Sequence, residues 1–172
     1  MAPRREPRWR EPFQRALAAY GEDRFDEAVD ALNSALVLSP RNNLIHQQLG
    51  VVLHKQGRAA AALASFRRAE ELRPDSIIQI CNVGIALRDL GRFDEAAQQF
   101  EKACRLAPDN AKNHFRWGLA LMKGMRPAEA LTQFQRALEL EPGHAEAALS
   151  LALCHLATED FEQGWTAYEA RF

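Results

Sequence analysis

The chain has 172 residues, 47% of them hydrophobic and 26% charged, with a formal net charge of −1. That balance belongs to a chain long enough to bury a core. It offers no bulk attraction for nucleic acid or an anionic membrane, and no apolar run reaches the ~18 residues of a bilayer span.

In chain order, residues 1–12 come first. Arg4, Arg5, Arg8 and Arg10 surround Trp9, and three prolines interrupt the stretch. This composition predicts a flexible basic arm and excludes a secretory signal, which needs an apolar segment.

From residue 13 to residue 172 a single period of 34 governs the chain. Pro40, Pro74, Pro108 and Pro142 keep it, as do Gly50, Gly84 and Gly118, with Ala16 before them and Ala152 after. Ala28, Ala62, Ala96 and Ala130 form a small column. Leu32, Phe66, Phe100, Phe134 and Tyr168 form a large one, and Ala35, Ala69, Ala103 and Ala137 a second small one. Self-similarity at this length predicts a stack of equivalent supersecondary units, at about 9–42, 43–76, 77–110, 111–144 and a truncated 145–172.

Inside each unit the apolar spacing is helical. Leu49, Val52 and Leu53, then Leu63, Phe66 and Leu72, fit two short amphipathic helices. Gly57, Gly91 and Gly124 divide the two helices of their units, as glycine does where helices end. The proline closing each unit stops the second helix, because it cannot extend the hydrogen-bond ladder. Pro127 falls at the first turn of a helix, where a missing N–H costs little. Gly84 and Ala96 are expected to let paired helices approach, with Phe93 and Phe100 filling the space around them. One hairpin cannot cover its own apolar face, so the units must stack.

These residues resemble the tetratricopeptide repeat (TPR) family. The resemblance runs through Leu49-Gly50…Leu53…Gly57…Ala62…Phe66…Ala69…Pro74, through Val83-Gly84…Leu87…Gly91…Ala96…Phe100…Ala103…Pro108, and through Trp117-Gly118…Leu121…Ala130…Phe134…Ala137…Pro142. It implies an all-α, right-handed α-solenoid of about five helix-turn-helix repeats. The first unit departs from the pattern, with Arg15 where a large apolar residue is expected.

The resemblance also implies that first helices line a concave groove. Phe13, Leu17, Gln47, Val51, Cys81, Ile85, Phe115, Leu119, Leu149 and Leu153 then lie on or near its floor, where they hold a partner's peptide or helix or pack neighbouring repeats together. The same helices carry Lys55, Arg88, Lys112, Arg116 and Lys123. Cochaperone members of the family hold a partner's C-terminal carboxylates with a clamp of Lys, Asn, Asn, Lys and Arg. Asn82, Lys112 and Arg116 are in register with its last three positions, whereas Gln47 and Val51 replace the first two and supply no charge. Half a clamp points to an acidic or carboxylate-bearing segment, against the alternative of solvated helix charge.

The five histidines include no i, i+4 pair and no H-E-x-x-H, and there is neither a Gly-rich phosphate loop nor a G-x-S-x-G elbow. His46 and His114 share a repeat register, which predicts structural roles. Asp26, Glu27, Asp94 and Glu95 stand at the starts of second helices, where they complement the helix dipole. No enzyme, cofactor or metal is expected. Cys81, Cys104 and Cys154 are odd in number and widely spaced, which predicts buried thiols in a reducing, cytoplasmic setting. The excess of arginine over lysine suggests a bacterial source.

The C-terminus carries Phe161, Trp165, Tyr168 and Phe172 on one helical stripe, with no following repeat to cover them. It is expected to be a fragment boundary, a dimer interface or a docking site, in that order. Gly164-Trp165…Tyr168-Glu169…Arg171 resembles the last repeat of bacterial proteins in which a TPR array precedes a glycosyltransferase domain. The groove asparagine ladder of O-linked glycosyltransferases is absent, since Asn82 stands with Gln14, Gln48, Arg116 and Ser150 in that register. The function expected is a non-catalytic interaction scaffold. The alternatives are a substrate-recruiting module of a larger glycosyltransferase and a self-assembling scaffold.

Overall fold

The computed structural model describes residues 7–158 together with Tyr168. The described residues form helices α1 (Arg10–Gly21), α2 (Phe25–Leu38), α3 (Asn43–Lys55), α4 (Ala59–Leu72), α5 (Ile77–Asp89), α6 (Phe93–Leu106), α7 (Ala111–Lys123), α8 (Pro127–Leu140) and α9 (Ala145–Ala157), and no strand. The fold is all-α, built from helical hairpins of the solenoid class. Helix α1 begins at Arg10, inside the stretch that composition marks as an arm. The ring of Trp9 stands edge-on to Phe13, with centroids 5.6 Å apart.

Contacts divide the chain within α5 into a unit of residues 1–86 and a unit of residues 87–172. In the first unit α1 packs on α2, α2 on α3, and α3 on α4. In the second, α6 packs on α7, α7 on α8, and α8 on α9, with a smaller contact between α7 and α9.

The periodic columns are the core. Ala28, Leu32 and Ala35, and their counterparts 34, 68 and 102 residues on, are all buried. The glycine column has a more specific partner than the sequence indicates. A Cβ on Gly50 would lie 2.4 Å from the ring of Phe66, and one on Gly118 would lie 2.6 Å from the ring of Phe134. In these two hairpins glycine makes room for the phenylalanine of the facing helix. The first hairpin has Ala16 and Leu32 at the same two positions, so a smaller side chain across the seam accompanies the added methyl.

The turn inside each hairpin is closed by backbone. The N–H groups of Arg24, Arg58, Arg92 and Arg126 donate to the carbonyls of Ala19, Leu53, Leu87 and Leu121, each at 2.9 Å. This is the six-to-one bond of a Schellman motif, which requires a left-handed residue one position earlier. Gly57 and Gly91 supply it with φ of 74° and 73°, while Asp23 and Met125 adopt it at 56° and 59°. In the fourth unit the left-handed position is therefore Met125. Gly124, which the sequence marks as the divider, is the C-cap at φ −80°.

Helices α3 and α7 are capped at their starts by side chains, whereas α1 has no side-chain cap. Asn42 Oδ1 accepts from the Leu44 N–H at 3.1 Å, and Asn110 Oδ1 from the Asn113 N–H at 3.2 Å. His46 and His114 tie their helices to the preceding turn, with Nε2 2.9 Å from the Pro40 carbonyl and 3.0 Å from the Pro108 carbonyl. Second helices start differently. Arg24, Arg92 and Arg126 stand at the N-cap without a side-chain cap bond and pair instead with Glu27, Glu95 and Glu129 in the first turn. The bond from Arg126 holds the Glu129 carboxyl below its ordinary range. Arg58 has Ala61 at that place and no such partner in α4.

Candidate partner-binding face

A first helix buries one stripe against its own hairpin and neighbours and turns another outward. On α7 the buried stripe includes Asn113, His114, Gly118 and Leu121. The outward stripe runs Lys112, Arg116, Leu119 and Lys123, at i, i+4, i+7 and i+11, the spacing of a single helical face. Lys112, Arg116 and Lys123 make no ion pair among the described residues. Elsewhere on the second unit arginines are matched: Arg92 with Glu95, Arg105 with Glu101, Arg136 with Glu139, and Arg126 with both Glu129 and Asp94.

Two concavities open on this face and share Leu119. One, of ≈ 380 Å³, brings Arg88, Lys112, Phe115, Arg116 and Leu119 together with Glu141, His144 and Glu146. Phe115 is fixed between the Phe134 ring at 5.9 Å and the His144 ring at 4.6 Å. His144 is itself held at the start of α9, where Nδ1 accepts from the Ala147 N–H at 3.3 Å. Arg88 is half-buried and paired with Asp89 at 3.2 Å, which leaves Lys112 and Arg116 as the unmatched cations. The other concavity, of ≈ 240 Å³, lies among α7, α8 and α9 and is predominantly apolar. Leu119, Met122, Phe134 and Leu153 line it, with Lys123 and Ser150 at its polar side. Behind it, Cys154 Sγ lies 3.0 Å from Met122 Sδ. Burial pushes that thiol up to about 11, so it is neither ionised nor nucleophilic near neutrality.

In the first unit the corresponding face is less charged. Leu17 is 41% exposed and Leu44 42% exposed, Val51 is half-buried, and Lys55 is exposed at the end of α3. Gln47 is occupied, accepting from Gln79 Nε2 at 2.6 Å. Phe13 and Cys81 are buried, so they support the face from beneath. Asn82 and Ile85 are half-buried on α5. Leu149 is half-buried on α9. Of the C-terminal stripe, Tyr168 is helical and half-buried, while Phe161, Trp165 and Phe172 lie outside the described residues.

Met122, Glu141, His144 and Glu146 were not legible as site residues. Glu141 and His144 flank the turn at Pro142, where the period specifies the proline and leaves its neighbours unconstrained. Met122 reads as ordinary helical filler until α9 is set beside it. Among the described residues no cluster of three His, Cys, Asp or Glu side chains could hold a metal, and no helix is long and apolar enough to cross a membrane.

The sequence profile of the tetratricopeptide repeat matches residues 13–77 and 115–171, and a TPR repeat profile matches residues 84–124. Two curated relatives, the peroxisomal targeting signal receptors of Candida glabrata and Saccharomyces cerevisiae, are 31% and 33% identical over 61 residues. That match takes in 36% of this chain and spans only 10% of each receptor. Among solved structures, MamA from Desulfovibrio magneticus RS-1 superposes with a TM-score of 0.90 at 17% identity, over 95% of this chain and 92% of that one. YrrB, titled a TPR protein with an unusual peptide-binding site, gives 0.81 at 20% identity, over 93% and 82% of the two chains. At these identities the likeness concerns the fold.

Proposed function

Because the chain belongs to the tetratricopeptide repeat family, we propose that it is a non-catalytic scaffold that holds a segment of a partner protein on the outward face of its first helices. The observation that carries this reading is the α7 stripe. Three cations without ion-pair partners flank a half-buried leucine, beside an open apolar cavity. Unmatched charge next to exposed apolar surface suits a polypeptide, which offers carboxylates and apolar side chains at fixed spacing. Lys112 adds a point charge and Arg116 a planar fork suited to a carboxylate. The curated relatives are by name receptors of a targeting signal, and YrrB by title has a peptide-binding site. A peptide partner for this chain is of the same class.

Selection of a random peptide library on the full chain tests the reading. Enriched peptides are expected to lose at least tenfold in affinity when Val51, Ile85 and Leu119 are all changed to Glu, with the helical circular dichroism unchanged. Each carboxylate is added to a half-buried position on the outward face, where it opposes apolar burial worth about 25 cal/mol per Å². Equal binding to the triple variant would remove the first-helix face from consideration.

A further inference from the structure

Asn42, Ser76, Asn110 and His144 stand 34 residues apart, each just before a first helix. Asn42 and Asn110 cap their helices with an amide oxygen, which accepts at any pH. At the start of α9 the acceptor is instead a ring nitrogen, His144 Nδ1, 3.3 Å from the Ala147 N–H. An imidazole nitrogen accepts only while it is unprotonated, so the capping ring is neutral and carries its proton on Nε2. Imidazole is also the side chain that takes up a proton between about pH 5 and 8. The column therefore substitutes a removable acceptor for a permanent one.

Protonation acts on this cap in two ways. It turns Nδ1 from an acceptor into a donor, so the ring and the Ala147 N–H then face each other as two donors. It also sets a full positive charge at the end of α9 where the helix dipole is already positive. The surroundings offer the charged ring another place. Glu141 in the turn before α9 and Glu146 in its first turn attract it, as does the face of Phe115, with ring centroids 4.6 Å apart. From α7, Lys112 and Arg116 oppose it, and Arg88 on α5 is already paired with Asp89. The backbone limits the damage. The Ala147 and Ala148 N–H groups also reach the His144 carbonyl, at 3.0 Å and 3.1 Å, so the helix start loosens without unfolding.

We propose that His144 is a pH-sensitive latch on the last described helix. Neutral, it caps α9 and fixes the α9 wall of the ≈ 380 Å³ concavity that it lines with Glu146; protonated, it releases both. The cap is present above the titration midpoint of the ring and lost below it. The latch needs no ligand on this face, so it stands or falls apart from the peptide-scaffold reading.

The test follows the full chain by NMR between about pH 8 and pH 5, the range over which imidazole titrates. It reads the ring nitrogen shifts of His144 and the amide protection factors of Ala147 and Ala148, each corrected for the intrinsic exchange rate at that pH. Above the midpoint, Nδ1 should be the unprotonated ring nitrogen, and Ala147 should be as protected as in His144→Asn, which installs the capping amide of the other repeats. Below it, Ala147 protection should fall about fivefold, to the level of His144→Ala, the loss typical of a missing cap, while amides in the middle of α7 and α8 hold. His144→Asn should show no such change across the range, which separates this ring from the buried histidines His114 and His155. The latch is refuted if Ala147 protection in the wild-type chain is constant through the titration, or if His144→Asn responds to pH as the wild type does. A ring that stays neutral down to about pH 5 refutes it as well.

Discussion

At the scale of single residues, the seam between paired helices is set by one small position facing one large one. Gly118 has no room for a methyl while Phe134 stands opposite, and Phe134 is fully buried, so a methyl there obliges its ring to shift. Gly118→Ala should cost about 1–2 kcal/mol in denaturant unfolding, since overpacking outweighs alanine's better helix propensity. Adding Phe134→Leu should recover part of that loss, because Ala16 facing Leu32 is the arrangement the first hairpin already uses. A double variant worse than the sum of the two single ones would refute this account. Met125 is the other informative residue. It is 87% exposed and left-handed at φ 59°, so its side chain gains no burial to offset the backbone cost. Met125→Gly should stabilise the chain by about 0.5–1 kcal/mol, read as a higher denaturant midpoint with unchanged slope. The sequence shows glycine at 57 and 91 and glycine again at 124, which invites the wrong register. The 34-residue period itself runs 23, 57, 91 and 125, and the backbone follows the period rather than the glycine.

At the scale of elements, the starts of the second helices carry an arginine column at 24, 58, 92 and 126. Three of its members close onto a first-turn glutamate, and those glutamates also face the positive end of the helix. Helix α4 is the exception, opening with four alanines and no acidic residue in its first turn. Ala61→Glu should restore the arrangement with Arg58 and add about 0.5 kcal/mol at low salt, fading as salt is raised. The same substitution should leave peptide binding unchanged, because position 61 belongs to a second helix. A gain that persists at high salt would mean that the ion pair is not responsible, and helix propensity would not explain it either, since alanine is the better helix former. On the first helices the situation is opposite. The unmatched cations of α7 contribute little to folding, which leaves their placement open to the demands of a ligand.

At the scale of the molecule, the hairpins and their order were legible because packing repeats. The buried alanines at 28, 62, 96 and 130 and at 35, 69, 103 and 137, and the buried phenylalanines at 66, 100 and 134, recur where the same neighbour recurs, so the period carries this part of the core in every repeat. The candidate site was only half legible. Lys112, Arg116 and Leu119 can be placed on one helical stripe by counting, but Glu141, His144 and Glu146 reach the same concavity from another helix and the turn before it. No spacing rule links them, because tertiary contact between α7 and α9 sets that distance. The histidines were legible for the opposite reason, since His46 and His114 repeat along with the proline carbonyls they touch.

The Schellman bonds give the sequence period a counterpart in time. The amides of Arg24, Arg58, Arg92 and Arg126 sit in exposed turns, yet each is bonded to the carbonyl of a buried residue in the last turn of a first helix. Such an amide exchanges with solvent only when its hairpin opens, not when the turn alone fluctuates. Hydrogen exchange should therefore show slow arginine amides at 34-residue intervals, each rate reporting the opening free energy of its own hairpin. Exchange at the rate of an unstructured peptide at any of the four would mean that its turn is not closed in solution. A protection pattern in step with the sequence would turn the repeat into a set of four built-in gauges of local stability, readable without a single substitution.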